Sequence, residues 1–142
     1  MASWTKSQLP TPTNDLDKVA NDIDRWGYGL LDDALSEPLL TKTRARLLEQ
    51  AAAELQSGIA FEDGGPSQKW GDFRDPDGAL RSEVFTSANG GINQRVWLLP
   101  NKGEEFLAVL EINKMHTIVS HVLGEEFQLS SFSSNIAKPG GL

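Results

Sequence analysis

Arg95 stands at the head of an apolar run, Val96-Trp97-Leu98-Leu99, and has more chemical scope than any other single charge in the chain. A guanidinium set into an apolar strand offers a rigid fork of donors that matches a carboxylate through two parallel hydrogen bonds. The same placement also suits an edge-strand arginine held in a salt bridge. Other candidates carry less. Ser130, Ser131, Ser133 and Ser134 cluster near the end of the sequence, but no acid–histidine pattern singles one out as a nucleophile, and a solvated or cavity-facing strand accounts for them. The only two histidines, His116 and His121, lie five positions apart on one expected helix and so point about 140° apart. They lack the i, i+4 spacing of a metal pair, and neither is followed by a carboxylate at +2, so they read as surface or packing histidines. Asp72, Asp75 and Asp77 before Gly78 miss the twelve-residue calcium-loop pattern and read as a turn. Asn89-Gly90-Gly91 lacks the lysine and following helix of a phosphate-binding loop.

Composition narrows the field further. Thirteen basic against 20 acidic residues give a net charge of −7, which argues against nucleic acid or an anionic membrane as partner. There is no cysteine, which removes disulfides, thiolate metal sites and a cysteine nucleophile. No apolar run approaches the length that spans a bilayer, and the N-terminus has no signal-like apolar core. A soluble, cytoplasmic protein is expected. At 142 residues the chain suits one domain, burying about 70% of its unfolded surface.

The elements that would position these residues follow from periodicity and punctuation. Residues 1–13, with two prolines and several Ser/Thr, read as a flexible leader to a domain over 14–142. Asn14 can cap a helix through Trp26, with Leu16, Val19, Ala20 and Ile23 on one face and Gly27 ending it. Tyr28 to Leu31 reads as a short strand. Ser36-Glu37-Pro38 opens a second helix to about Gln56, with Leu40, Leu47, Leu48, Ala51 and Leu55 as its stripe and Gly58 following its end. Phe61 to Gly91 is rich in Gly, Asp, Pro and Ser and suggests long loops or short edge elements. A strand is expected at Arg95 to Leu99, then a helical region from Glu104 to Leu123 interrupted near Asn113 and stopped at Gly124. Phe127 to Ile136 follows as a strand-like run before Lys138-Pro139-Gly140-Gly141, so the sequence reads as interrupted before a next strand.

Three stretches together resemble the N-terminal part of the phytanoyl-CoA dioxygenase family of iron(II)- and 2-oxoglutarate-dependent oxygenases. They are DLDKVANDIDRWGYGLLDDALS, NQRVWLLPNKGEEF and SSFSSNIAKPGG, and they span most of the chain. The resemblance implies an α+β fold, with N-terminal helices packed on part of a double-stranded β-helix (jelly-roll) core that is incomplete in this chain. It implies iron(II) held by two histidines and a carboxylate, with 2-oxoglutarate as co-substrate and a small organic substrate to be oxidised. Trp70 and Phe73, in the Phe61 to Gly91 loops, suit an apolar substrate. By position, Arg95 and Ser134 are expected to contact the co-substrate, and Asn135 and Ile136 to line the substrate pocket.

The sequence departs from the family at the metal. No His-x-Asp motif occurs among its 142 residues, so metal ligands and catalytic residues are not assigned, and neither iron nor 2-oxoglutarate is expected to bind this chain alone. The expected partners are a small-molecule substrate and, among the candidates, the remainder of the same enzyme as a separate chain. The competing expectation is a non-catalytic acidic interaction domain that engages a protein partner through exposed tryptophans among Trp4, Trp26, Trp70 and Trp97.

Overall fold

A computed structural model of the chain describes residues 5–63, 76–77 and 92–138. The fold is mixed, with four helices and a three-stranded antiparallel sheet among the described residues. The elements are α1 (Leu16–Trp26), α2 (Glu37–Gln56), β1 (Phe61–Asp63), β2 (Asn93–Val96), α3 (Glu104–Leu110), α4 (Asn113–Leu123) and β3 (Ser134–Ala137). They fall into two compact units: Met1–Thr41 with Leu107–Leu129, and Lys42–Phe106 with Ser130–Leu142. The α+β class is as expected from sequence. No helix among the described residues is long and apolar enough to cross a membrane.

In the first unit, α1 begins one residue later than the sequence suggests. Asp15, not Asn14, is the cap: its carboxylate accepts from the backbone N–H groups of Asp17 and Lys18, each at 3.1 Å. An ionised acceptor at this position satisfies two orphan donors and complements the helix dipole, which explains why it displaces the neutral amide. Asn14 instead accepts a 2.7 Å hydrogen bond from the Lys114 ammonium of α4. Gly27 ends α1 at φ +79°, a left-handed conformation that glycine adopts without strain. Residues 28–31 form no ladder beyond one parallel bridge between Leu31 and Thr13. That bridge lies within the N-terminal segment, as does a 3-10 turn at Lys6–Gln8 closed by reciprocal Thr5 and Gln8 contacts. Gly29 lies so close to α1 that a Cβ there would sit 2.9 Å from both Val19 Cγ1 and the Val19 carbonyl oxygen.

In the second unit, α2 lies on one face of the sheet. Ala51, Val96, Leu99 and Phe106 are its buried centre, with Leu47, Phe132 and Ile136 packed around them. The Phe106 and Phe132 rings meet edge to face at 6.4 Å between centroids. The apolar stripe expected on α2 is only partly used. Leu47 and Ala51 reach this core, whereas Leu40, Leu48 and Leu55 are exposed and the acidic Glu54 is buried. The reason is electrostatic: the Glu54 carboxylate accepts from Gln50 Nε2 at 2.9 Å and Lys102 Nζ at 3.1 Å, so the helix can bury it at the cost of turning neighbouring leucines outward.

The sheet order is β1-β2-β3, both pairs antiparallel. β2 starts two residues before the expected strand and ends at Val96, because Leu98 turns into the left-handed region (φ 54°, ψ 50°) and opens a 3-10 turn at Leu99–Asn101. α3 and α4 divide at the expected interruption, and Gly124 follows α4 at φ +84°. The strand-like run from Phe127 is a ladder only over Ser134–Ala137. Phe127 packs instead against His116 in the first unit.

Candidate functional site

Strand alternation assigns the sequence-derived candidates to faces. Within β2, Gln94 and Val96 are buried toward α2, and the Gln94 side-chain amide donates to the Ala51 carbonyl at 2.8 Å. Successive side chains leave a strand on opposite sides, so Asn93 and Arg95 belong to the face away from α2. Register carries this across the sheet: Phe61 and Asn135 are the partners of Arg95, while Ser134 lies opposite Val96 and Ile136 opposite Gln94. Phe61, Arg95 and Asn135 therefore share the face away from α2, and Ser134 and Ile136 share the α2 face.

The two pairs expected from sequence are both split by this geometry. Arg95 and Ser134, the expected co-substrate contacts, lie on opposite faces, as do the expected pocket residues Asn135 and Ile136. Ile136 packs against the core beside α2. The structure instead brings together Arg95 and Asn135. The Lys138 N–H donates to the Ile92 carbonyl at 2.7 Å, which makes every second pair of the β2–β3 ladder a hydrogen-bonded one and leaves Arg95–Asn135 a non-hydrogen-bonded pair. Side chains approach most closely in such pairs.

Two aromatic residues complete this face; the sequence singles out Trp97 only as a candidate for partner binding and Phe61 not at all. The Arg95 guanidinium lies over the Trp97 ring, Cζ to centroid 5.7 Å, in cation–π range. Phe61 meets the same ring edge on at 5.8 Å. Trp97 is two positions beyond Arg95, so a period-two reading of the strand could have placed it on the same side. Phe61 carried no such signal, because its register partner is 34 residues away. Arg95 is half-buried and Trp97 45% exposed. A planar cation beside an aromatic ring, with a carboxamide at the facing register position, has the chemistry to hold a carboxylate.

The two histidines are placed in the first unit. His116 Nε2 lies 2.5 Å from the Leu110 carbonyl oxygen, and His121 Nε2 lies 2.9 Å from an Asp24 carboxylate oxygen on α1. Both line an open cleft of about 530 Å3 over the polar side of α4, with Asn113, Thr117, Ser120 and Glu125. Each ring thus has a structural partner, in keeping with the packing role expected of them. Among the described residues no group of three or more His, Asp or Glu side chains is placed to hold a metal ion. Ser130, Ser131 and Ser133 are exposed and Ser134 half-buried. Pro76 and Asp77 form an exposed turn, while Asp72, Asp75, Gly78, Asn89, Gly90, Gly91, Trp4, Trp70, Phe73 and the residues from Pro139 onward lie outside the described residues.

No family model, curated protein or solved structure matches the chain.

Proposed function

We propose that this chain is the N-terminal portion of an iron(II)- and 2-oxoglutarate-dependent dioxygenase that oxidises a small, apolar organic substrate. The observation that carries the reading is the Arg95–Asn135 pair on the sheet face away from α2, with Trp97 beside the guanidinium and Phe61 against Trp97. In a jelly roll the helices cover the outside of one sheet and the opposite face lines the cavity. Helix α2 on the Val96 side leaves Arg95 and Asn135 on the side such a cavity would occupy. The three resembling stretches supply α1, the strand that bears Arg95 and the strand that bears Asn135.

The described residues do not fit an iron site. No suitable cluster exists among them, and the two histidines are engaged within the first unit by Leu110 and Asp24. No step of the reaction is therefore routed through these residues. Their part is binding and orientation: Arg95 clamps a carboxylate of the co-substrate, Asn135 donates a further hydrogen bond, and Trp97 and Phe61 wall the site against water.

The test is Arg95→Ala in the complete enzyme. Losing a charge-assisted bidentate contact should raise the KM for 2-oxoglutarate by roughly 10- to 100-fold. An unchanged KM would remove Arg95 from the site and with it the main support for the reading. The 142-residue chain by itself is expected to form no succinate from 2-oxoglutarate with iron(II) and ascorbate. The exposed Trp97 is the one observation that favours the alternative, an acidic interaction domain. A partner-binding loss in Trp97→Ala, with no oxygenase activity in any longer form, would select it.

A further inference from the structure

Among the described residues β3 is an edge strand with one unpaired side. The hydrogen bond from the Lys138 N–H to the Ile92 carbonyl fixes which residues bond inward: Ser134, Ile136 and Lys138 face β2 with their peptide groups. By the same alternation the N–H and C=O groups of Asn135 and Ala137, and of Ser133 before them, point away from the sheet. No described residue hydrogen-bonds to that side.

Folded proteins blunt such edges with lysines, prolines, bulges or inward-pointing charges. From Phe127 to Ala137 there is not one charged residue or proline. The nearest charge, Lys138, is drawn across the sheet into a contact with Glu62 on β1 and does not guard the edge.

We propose that β3 pairs antiparallel with β3 of a second copy of the chain, about a two-fold axis through Asn135. The strand is complementary to itself. With Asn135 opposite its own counterpart, Ser133 falls opposite Ala137 of the second copy, so outward-bonding residues meet outward-bonding residues throughout. Ile136 falls opposite Ser134 of the second copy on the α2 face, where the half-buried flanks of Ile136 and Phe132 gain cover. Because the segment is uncharged, pairing two identical strands brings no like charges together, although each chain carries −7 overall. Raised ionic strength, which screens that overall repulsion, therefore strengthens the pairing. The inference stands apart from the oxygenase reading, since it concerns the edge of β3 and not the face that bears Arg95.

The experiment is analytical ultracentrifugation of the 142-residue chain over a wide concentration range, with hydrogen exchange of individual amides alongside. The wild type should pass from monomer to dimer, and the amides of Ser133, Asn135 and Ala137 should gain protection in step. Asn135→Pro and Ala137→Pro each remove an outward N–H without removing a hydrogen bond of the β2–β3 ladder. Each should weaken the dimer at least about ten-fold while leaving the thermal unfolding midpoint of the monomer in place. A chain that stays monomeric would overturn the proposal, as would a dimer that survives both substitutions. Edge amides protected equally at every concentration would overturn it too, because the cover would then come from the same chain.

Discussion

Glu54 sits where helix physics alone would not put it. It lies in the last turn of α2, where the dipole disfavours an anion, yet it is 7% exposed. What holds it there is the Lys102 ammonium at 3.1 Å, just beyond the 3-10 turn that follows β2, together with the Gln50 amide at 2.9 Å. Arg46 donates in turn to the Gln50 side-chain oxygen at 2.8 Å, so the helix presents a relay ending on a buried carboxylate. Glu54→Gln keeps the shape and removes the charge. A hydrogen bond to a charged group contributes about 1.5–3 kcal/mol. The Lys102 side chain is 28% exposed, so water recovers part of that loss and the expected destabilisation is about 1.5–2 kcal/mol. Urea unfolding followed by far-ultraviolet circular dichroism should show a lower midpoint at an unchanged m-value. In a double-mutant cycle with Lys102→Met, the coupling energy should be about 1 kcal/mol or more. A Glu54→Gln protein within about 0.5 kcal/mol of wild type, or a cycle with no coupling, would refute the view that this pair ties the turn after β2 to the helix.

Two further perturbations test backbone geometry. Gly29→Ala places a methyl group 2.9 Å from the Val19 carbonyl and Cγ1, so α1 or the segment must shift, and chemical denaturation should show a loss of about 1–3 kcal/mol. Leu98 adopts φ 54° and is 61% exposed, so Leu98→Gly relieves left-handed strain at little packing cost. It should raise the unfolding free energy by about 0.5 kcal/mol, whereas β-branched Leu98→Val should lower it by about 1 kcal/mol, and the same sign for both would show that the strain is not felt.

The sequence made helices legible where punctuation and periodicity agreed. Gly27, Gly58 and Gly124 each adopt a positive φ just after a helix, as their placement suggested. What it concealed were choices made by partners remote in sequence. Asp15 wins the cap of α1 over Asn14 because a charge interacts better with the helix end, and Asn14 is then taken up by Lys114, 100 residues away. The buried stripe of α2 departs from its apolar periodicity because Glu54 looks solvent-facing until Lys102, 48 residues on, supplies a reason to bury it. β2 came early because the left-handed turn at Leu98 left no mark in a run of apolar residues.

For the candidate site the decisive quantity was parity, and parity is invisible without register. Ser134 and Asn135 are neighbours in sequence, yet one faces Val96 and the other Arg95. A slip of one residue between β2 and β3 would exchange the faces and make Ser134 and Ile136 the companions of Arg95. Two independent anchors prevent that slip. The buried Gln94 amide on the Ala51 carbonyl commits β2 to α2, and Ile136 packs into the same core from β3. Slippage would expose Ile136, bury the Asn135 carboxamide in an apolar cluster and leave it without the partners a buried polar group requires. The energetic preference for this register is therefore also a preference for Asn135 over Ser134 beside the guanidinium. If a carboxylate binds Arg95, substitution at Asn135 must weaken it more than substitution at Ser134.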